Sequence, residues 1–228
     1  MSSPLILALD IEPDRALELA KNLDPEQCKL KVGSMLFTSS GPSIISSLKD
    51  LGFDIFLDLK FHDIPNTVYA AVKEACKLNV WMVNVHCSGG LEMLKSARKS
   101  ISDNKSKTPP LLVGVTMLTS LSEDEGKNIG VKDIRKQTTL LTKLAKSSGL
   151  DGVVCSPLEV KEIKNSFGTE FITVSPGIRS SSLLEDQKRV ASASEALKSG
   201  SDYLVVGRPI TESNNPVESV KSFLKEIG

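Results

Sequence analysis

Eight short apolar runs, each separated from the next by a longer stretch, constrain this chain more than any other feature. They cover residues 5–9, 28–32, 55–59, 80–85, 111–116, 152–155, 171–174 and 203–206. Each is almost continuously Leu, β-branched or otherwise apolar, with no clean alternation. A strand with one wet face alternates and a strand buried on both faces does not, so the pattern predicts a parallel sheet covered by helices. Between the runs, Ala16, Leu17, Leu19, Ala20 and Leu23 fall at helical spacing, as do Val68, Ala71, Val72 and Ala75. Leu140, Leu141, Leu144 and Ala145 repeat the pattern, followed by Val217, Val220, Phe223 and Leu224. The helix exits also repeat. Gly52-Phe-Asp54, Gly149-Leu-Asp151 and Gly200-Ser-Asp202 each put a glycine where a left-handed cap is needed before the next strand.

Strands alternating with about eight helices fit a (β/α)8, or TIM, barrel, for which roughly 250 residues is usual. With 228 residues, the expectation is an α/β fold in which residues 1–228 form one barrel domain. A doubly wound open sheet is the rival. It usually opens with a glycine-rich turn, which Leu9-Asp-Ile-Glu-Pro13 lacks. No Pro/Gly/Ser-rich linker divides the chain, and the polar residues 102–110 read as a surface loop before the fifth strand.

Composition removes some partners. Lys plus Arg and Asp plus Glu number 28 each, so the chain lacks the basic excess of a nucleic-acid binder. At 4% aromatic residues it also lacks the material for a base-stacking platform. A balanced total still leaves room for a local cationic site that binds a small anion. Cys28, Cys76, Cys87 and Cys155 form no C-x-x-C pair, and His62 and His86 are the only histidines. No metal-ligand spacing follows, and buried reduced thiols are expected. The N-terminus has no basic lead-in and meets a charge at Asp10, and no run approaches the roughly 18 uncharged apolar residues of a membrane span. A soluble cytoplasmic protein is expected.

Chemistry in this fold sits at the carboxyl ends of the strands. Those ends carry Asp10, Lys31, Asp58 with Lys60, Asn84 with His86, Thr116 with Thr119, and then Arg179 and Arg208. One charge there is a strand reaching water, but acids and bases alternating over several strands suggest a ring that binds and orients a polar anion. The densest cluster is Asp58-Leu-Lys-Phe-His-Asp-Ile-Pro-Asn-Thr67. Positions i and i+2 of a strand share a side, so Asp58 and Lys60 should both face the barrel mouth. With Asp63 three residues on, carboxylates flank the ammonium and favour its charged form. Lys60 then suits proton donation better than attack as a free amine. Pro65 and Asn66 mark a helix start, with Asn66 expected as its cap. The second cluster is Ser175-Pro-Gly-Ile-Arg179 with Val206-Gly-Arg-Pro-Ile-Thr211. Each offers a glycine and then a guanidinium after strands seven and eight, the usual phosphate site of this fold. A phosphorylated small molecule with its reactive atoms near Lys60 is the expected ligand.

The run from Asp58 to Thr67 closely resembles the signature of the orotidine 5'-phosphate decarboxylase family of the bacterial type. The resemblance extends through Leu7-Ala-Leu-Asp10, Lys31-Val-Gly33, Val83-Asn-Val-His86, Val115-Thr-Met-Leu-Thr-Ser120, Asp151-Gly-Val-Val-Cys-Ser156, Ser175-Pro-Gly-Ile-Arg179 and Val205-Val-Gly-Arg-Pro-Ile-Thr211. It implies cofactor-free conversion of orotidine 5'-monophosphate to uridine 5'-monophosphate and CO2, within pyrimidine (UMP) biosynthesis. By the same resemblance Asp10 and Lys31 hold the ribose hydroxyls and help set the charge array. Lys60 is the proton donor to C6, and Asp58 sits against the leaving carboxylate. Asp63 reaches into the site of the other subunit of a homodimer, and Thr67 is a substrate-binding residue. Thr119, or its neighbour Ser120, contacts the pyrimidine. Arg179, Gly207 and Arg208 take the phosphate, and Gln187 bridges phosphate and base from the loop after strand seven.

The implied chemistry suits these residues. Loss of CO2 leaves an electron pair in the plane of C6, and no motif for pyridoxal, thiamine or a metal is visible to accept it. Electrostatic stabilisation of the transition state must then carry the reaction. The nearest rivals, sugar-phosphate decarboxylases and hexulose-phosphate synthases of the same superfamily, share D-x-K-x-x-D but use a magnesium-stabilised enediolate. The continuation His62-Asp-Ile-Pro-Asn-Thr67 belongs to the orotidylate type. A phosphate-binding barrel without catalysis, or an epimerase on the same scaffold, is a further alternative, and the intact Asp58, Lys60 and Asp63 speak against a degenerate binder.

Overall fold

The computed structural model describes residues 3–179 and 191–228. Ten strands occur among them: β1 (Leu5–Ala8), β2 (Lys29–Gly33), β3 (Ile55–Phe61), β4 (Met82–His86), β5 (Leu111–Val115), β6 (Gly152–Val154), β7 (Ile172–Ser175), β8 (Ile178–Arg179), β9 (Ala191–Ser192) and β10 (Tyr203–Val206). Eight of them close into an all-parallel barrel in the order β1-β10-β7-β6-β5-β4-β3-β2. All eight apolar runs are barrel strands. The fold is the expected single (β/α)8 barrel, with helices between the strands.

The missing alternation now has its cause. Leu5, Leu7, Leu30, Val32 and Leu204 point outward against the helices and join the large outer core. Residues of the opposite parity, Ile6, Ala8, Phe56, Met82, Val113, Val174 and Val205, fill the barrel interior. Both faces lose water, and burying each large aliphatic side chain is worth roughly 1.5–3 kcal/mol. The floor of the interior is closed by Trp81 and Tyr203, packed edge-on with ring centroids 4.9 Å apart. The ammonium of Lys29 lies over the Trp81 ring, 5.0 Å from its centre, and donates to the Ser3 carbonyl just before β1. The next inward residue of β2 is Lys31, which the same parity delivers to the opposite end of the barrel.

Gly52, Gly149 and Gly200 adopt φ of 93°, 75° and 101°, the left-handed caps expected. The aspartates that follow do more than cap. The Asp151 carboxylate accepts the Leu112 N–H at 2.7 Å, and that of Asp202 accepts the Thr173 N–H at 2.7 Å. Each thereby pins the start of the neighbouring strand. At the other end, Pro13 and Pro65 open helices soon after β1 and β3, where the missing N–H costs nothing. Asn66 is not the cap expected for the second of these. Pro65 takes the first helical position, so the cap falls on Ile64, which offers no side-chain acceptor.

The two-residue strands β8 and β9 pair in parallel outside the barrel, Ile178 with Ala191 and Arg179 with Ser192. Nothing in the periodicity announces so short a ladder. Gln187 and residues 180–185 lie outside the described residues.

Candidate active site

The register of β1, β2 and β3 builds the first part of the site. Lys31 is level with Ala8 on one side and Phe56 on the other, and Gly33 is level with Asp58. The side chains of Lys31 and Asp58 therefore rise into one layer above Phe56. The Lys31 ammonium stands 3.0 Å from Asp10 Oδ1 and 3.1 Å from Asp58 Oδ2. The Lys60 ammonium donates to Asp58 Oδ1 at 2.7 Å. The result is an unbroken chain of alternating charge, Asp10–Lys31–Asp58–Lys60.

Burial alone would push the Asp58 carboxyl upward. The ammoniums of Lys31 and Lys60, with hydrogen bonds from Lys60 and Asn84, outweigh it and hold Asp58 below the usual carboxylate range. Asp58 is therefore an anion at neutral pH. Beside it, burial, the neighbouring His62 ring and the Lys60 ammonium hold His86 below the ordinary histidine value. The two imidazoles lie 5.5 Å apart.

The other cationic end comes from β8 and from the turn after β10. Pro176 and Gly177, the latter at φ 79°, turn the chain out of β7 so that Arg179 enters the short ladder with Ser192. Arg208 follows Gly207 directly after β10. Burial and the nearby Arg208 guanidinium push Arg179 below the usual arginine value, with Glu212 opposing. Both guanidiniums border the same cleft, and each can take the oxygens of an anion in bidentate fashion. A third wall is the segment after β5, anchored by a capping box in which Ser122 and Glu125 exchange hydrogen bonds.

These parts enclose one cleft of about 980 Å³, sized for a small molecule. Asp10, Lys31, Asp58, Lys60, Thr119, Arg179, Gly207 and Arg208 all line it, as does Ser120. Asp63 and Thr67 are exposed and do not line the cleft of their own chain. The Asp63 carboxylate accepts the Ile64 N–H at 2.6 Å instead of facing Lys60. Flanking of Lys60 by two carboxylates of one chain is thus corrected: among the described residues, Asp58 is the one carboxylate that its ammonium meets.

Comparison with known proteins decides the lineage. Residues 3–223 match the family described as Orotidine 5'-phosphate decarboxylase / HUMPS. The orotidine 5'-phosphate decarboxylase of Dichelobacter nodosus is 51% identical, with 99% of each chain covered. The chain belongs to this family. The orotidine 5'-phosphate decarboxylase of Legionella pneumophila strain Lens is 50% identical over all of both chains. The crystal structure of orotidine 5'-phosphate decarboxylase from Lactobacillus acidophilus superposes with a TM-score of 0.88 at 38% identity, covering both chains completely.

Within this member of the orotidine 5'-phosphate decarboxylase / HUMPS family, one site feature escapes the reading of motifs. Lys60 has φ 51°, a left-handed conformation rare for a residue with a Cβ. Asn84, visible in sequence only as a polar residue near a strand end, meets both Asp58 and Lys60. Its signal was a lone buried amide inside an apolar strand, which needs hydrogen-bond partners wherever it lies.

Proposed function

We propose that the cleft decarboxylates orotidine 5'-monophosphate to uridine 5'-monophosphate and CO2, a carbon–carbon lyase reaction of pyrimidine biosynthesis. The observation that carries this reading is the chain Asp10–Lys31–Asp58–Lys60 at one side of a cleft whose other side holds Arg179 and Arg208. The arginines and Gly207 take the phosphate, far from the reacting carbon, and Thr119 or Ser120 meets the pyrimidine. Gln187 joins base to phosphate. Asp10 and Lys31 hold the ribose hydroxyls.

The chemistry then follows from charge. The bond from C6 to the carboxylate breaks, its electron pair stays on C6, and CO2 departs. The Lys60 ammonium stabilises that pair as it forms and delivers a proton to it, later regaining one from water. Asp58, fixed as an anion, faces the substrate carboxylate and disfavours it relative to the neutral CO2 being formed. Phosphate binding supplies the energy that seats the ring against this repulsion. The charge array itself supplies the proton and the electrostatics, so the proposal requires no cofactor.

Asp63 and Thr67 act in this reading across the interface of a homodimer, each reaching the site of the other subunit. Their exposure outside their own cleft supports this. So does Ile64 between them, an apolar side chain left 67% exposed. Four free, buried cysteines support a reducing, cytoplasmic setting. Among the described residues no helix is long and apolar enough to cross a membrane.

The test follows the ultraviolet change as orotidine 5'-monophosphate is converted, with and without EDTA. Turnover in both conditions is expected. Tight binding without CO2 release would make the protein a binder, and loss of turnover with EDTA would point to the magnesium-dependent branch.

A further inference from the structure

The ladder between β3 and β4 slips beside the charge array. Leu57 is level with Val83 and Phe61 with Val85, so Asp58, Leu59 and Lys60 stand against Asn84 alone. Such a bulge takes main-chain groups away from their ladder partners, and each one buried needs another. Asn84 supplies it from its side chain. Its Oδ1 accepts the Lys60 N–H at 2.8 Å, and its Nδ2 donates to Asp58 Oδ1 at 2.6 Å. A backbone N–H only donates and a carboxylate only accepts, so the two partners fix which way the amide points. Asn84 is itself 0% exposed and level with Val113 of β5, so it has no freedom to leave.

We infer that Asn84 is a positioning residue for the decarboxylation, its amide holding Lys60 in the left-handed turn that carries the ammonium over Asp58 and aiming Asp58 Oδ1 at that ammonium. The inference rests on the proposed reaction and adds a residue outside its charged set. Lys60 at φ 51° keeps a conformation that persists only where the surroundings hold it. One amide secures both members of the pair. Alanine would leave the N–H and the carboxylate oxygen without this partner. Aspartate would keep an acceptor for Lys60 but set a second carboxylate against Asp58. The other charged or titratable groups acting on Asp58 are Lys31 from β2 and Lys60 from β3, with His86 further along β4.

The experiment compares wild type, Asn84→Ala and Asn84→Asp for kcat and KM on orotidine 5'-monophosphate across pH. It also measures uridine 5'-monophosphate affinity and thermal stability. Misplacing a reacting group by an ångström costs on the order of 100-fold, so kcat should fall by about that factor in both variants. Nucleotide affinity should stay within about fivefold, because the phosphate contacts are untouched. The acid limb of kcat should move to higher pH, since Asp58 loses a hydrogen bond that favours its ionised form. A residue serving only the fold would lower Tm while leaving kcat per folded molecule and the acid limb in place. That result, or kcat within about threefold of wild type, overturns the inference. If Asn84→Ala does not fold, the near-isosteric Asn84→Asp carries the same criteria. An inactive wild type overturns the decarboxylase reading itself, whereas an active wild type with indifferent Asn84 variants overturns this inference alone.

Discussion

The Nζ of Lys31 lies 3.1 Å from Asp58 Oδ2, and each of these side chains is only 9% exposed. Out of water, neither charge is tolerable alone. Asp58 is further bound to Lys60, whose side chain is 35% exposed and borders the cleft. The buried pair is thus the anchor, and the cleft-facing ammonium is the part free to act on a ligand.

Replacing Lys60 by alanine should remove turnover by several orders of magnitude, each tenfold loss corresponding to about 1.4 kcal/mol of barrier. Binding of uridine 5'-monophosphate should remain measurable by calorimetry. Near-normal turnover in this variant would sink the proposed proton donor.

Asp63 and Thr67 are exposed and do not line their own cleft, which makes complementation informative. Mixed after subunit exchange, Lys60→Ala and Asp63→Ala proteins should regain activity that neither has alone. One of the two sites in each mixed dimer then carries both native side chains. Absence of recovery in mixed dimers verified by mass spectrometry would rule out a site spanning two subunits.

Loss of either guanidinium should weaken the hold on the phosphate and, through it, the seating of the ring. Arg179→Ala and Arg208→Ala should each raise KM roughly 10- to 100-fold, the equivalent of about 1.5–3 kcal/mol for a charge-assisted contact. Uridine, which lacks the phosphate, should bind wild type and variants equally. If uridine binding fell as far as nucleotide binding, the arginines would not be the phosphate site.

The depressed Asp58 carboxyl ties stability to pH. Its folded value lies below the ordinary 3.8, so its stabilising contribution is complete above 3.8 and is lost as pH falls through the lower folded value. Urea unfolding should find Asp58→Asn less stable than wild type by roughly 3 kcal/mol at pH 7, because two ammoniums lose their shared partner. The gap should narrow in acid, below the ordinary value. A gap that stayed constant there would mean that the lost interaction is not ionic.

Gly152 opens β6 where the chain has no room for a side chain. A Cβ there would run into the Ile172 carbonyl oxygen, which is backbone and cannot swing aside. Gly152→Ala should lower stability by about 3 kcal/mol, at the upper end for an overpacked core, without altering the catalytic groups. The urea midpoint should fall while kcat of the folded fraction persists, and an unchanged midpoint would contradict the packing described.

The barrel was legible because burial on both faces leaves a trace that survives in one sequence: apolar runs that do not alternate. The charge array was legible for a related reason, since Lys31 and Asp58 break two such runs at positions whose parity turns them inward. Three features left no such trace. The left-handed Lys60 depends on a ladder slip set by β4, which the local residues of β3 do not encode. The β8–β9 pair joins strands of two residues each, too short for any periodicity. The helix cap expected at Asn66 failed because Pro65, by claiming the first helical position, shifts the boundary to Ile64.

The packed interior has a consequence for traffic. Ile6, Phe56, Met82, Val113 and Val174 fill the barrel beneath the cleft, and Trp81 with Tyr203 closes its far end. Among the described residues, the cleft is therefore floored by packed side chains and opens at the carboxyl ends of the strands. Anything that binds in the cleft comes and goes at those ends and not through the middle of the barrel.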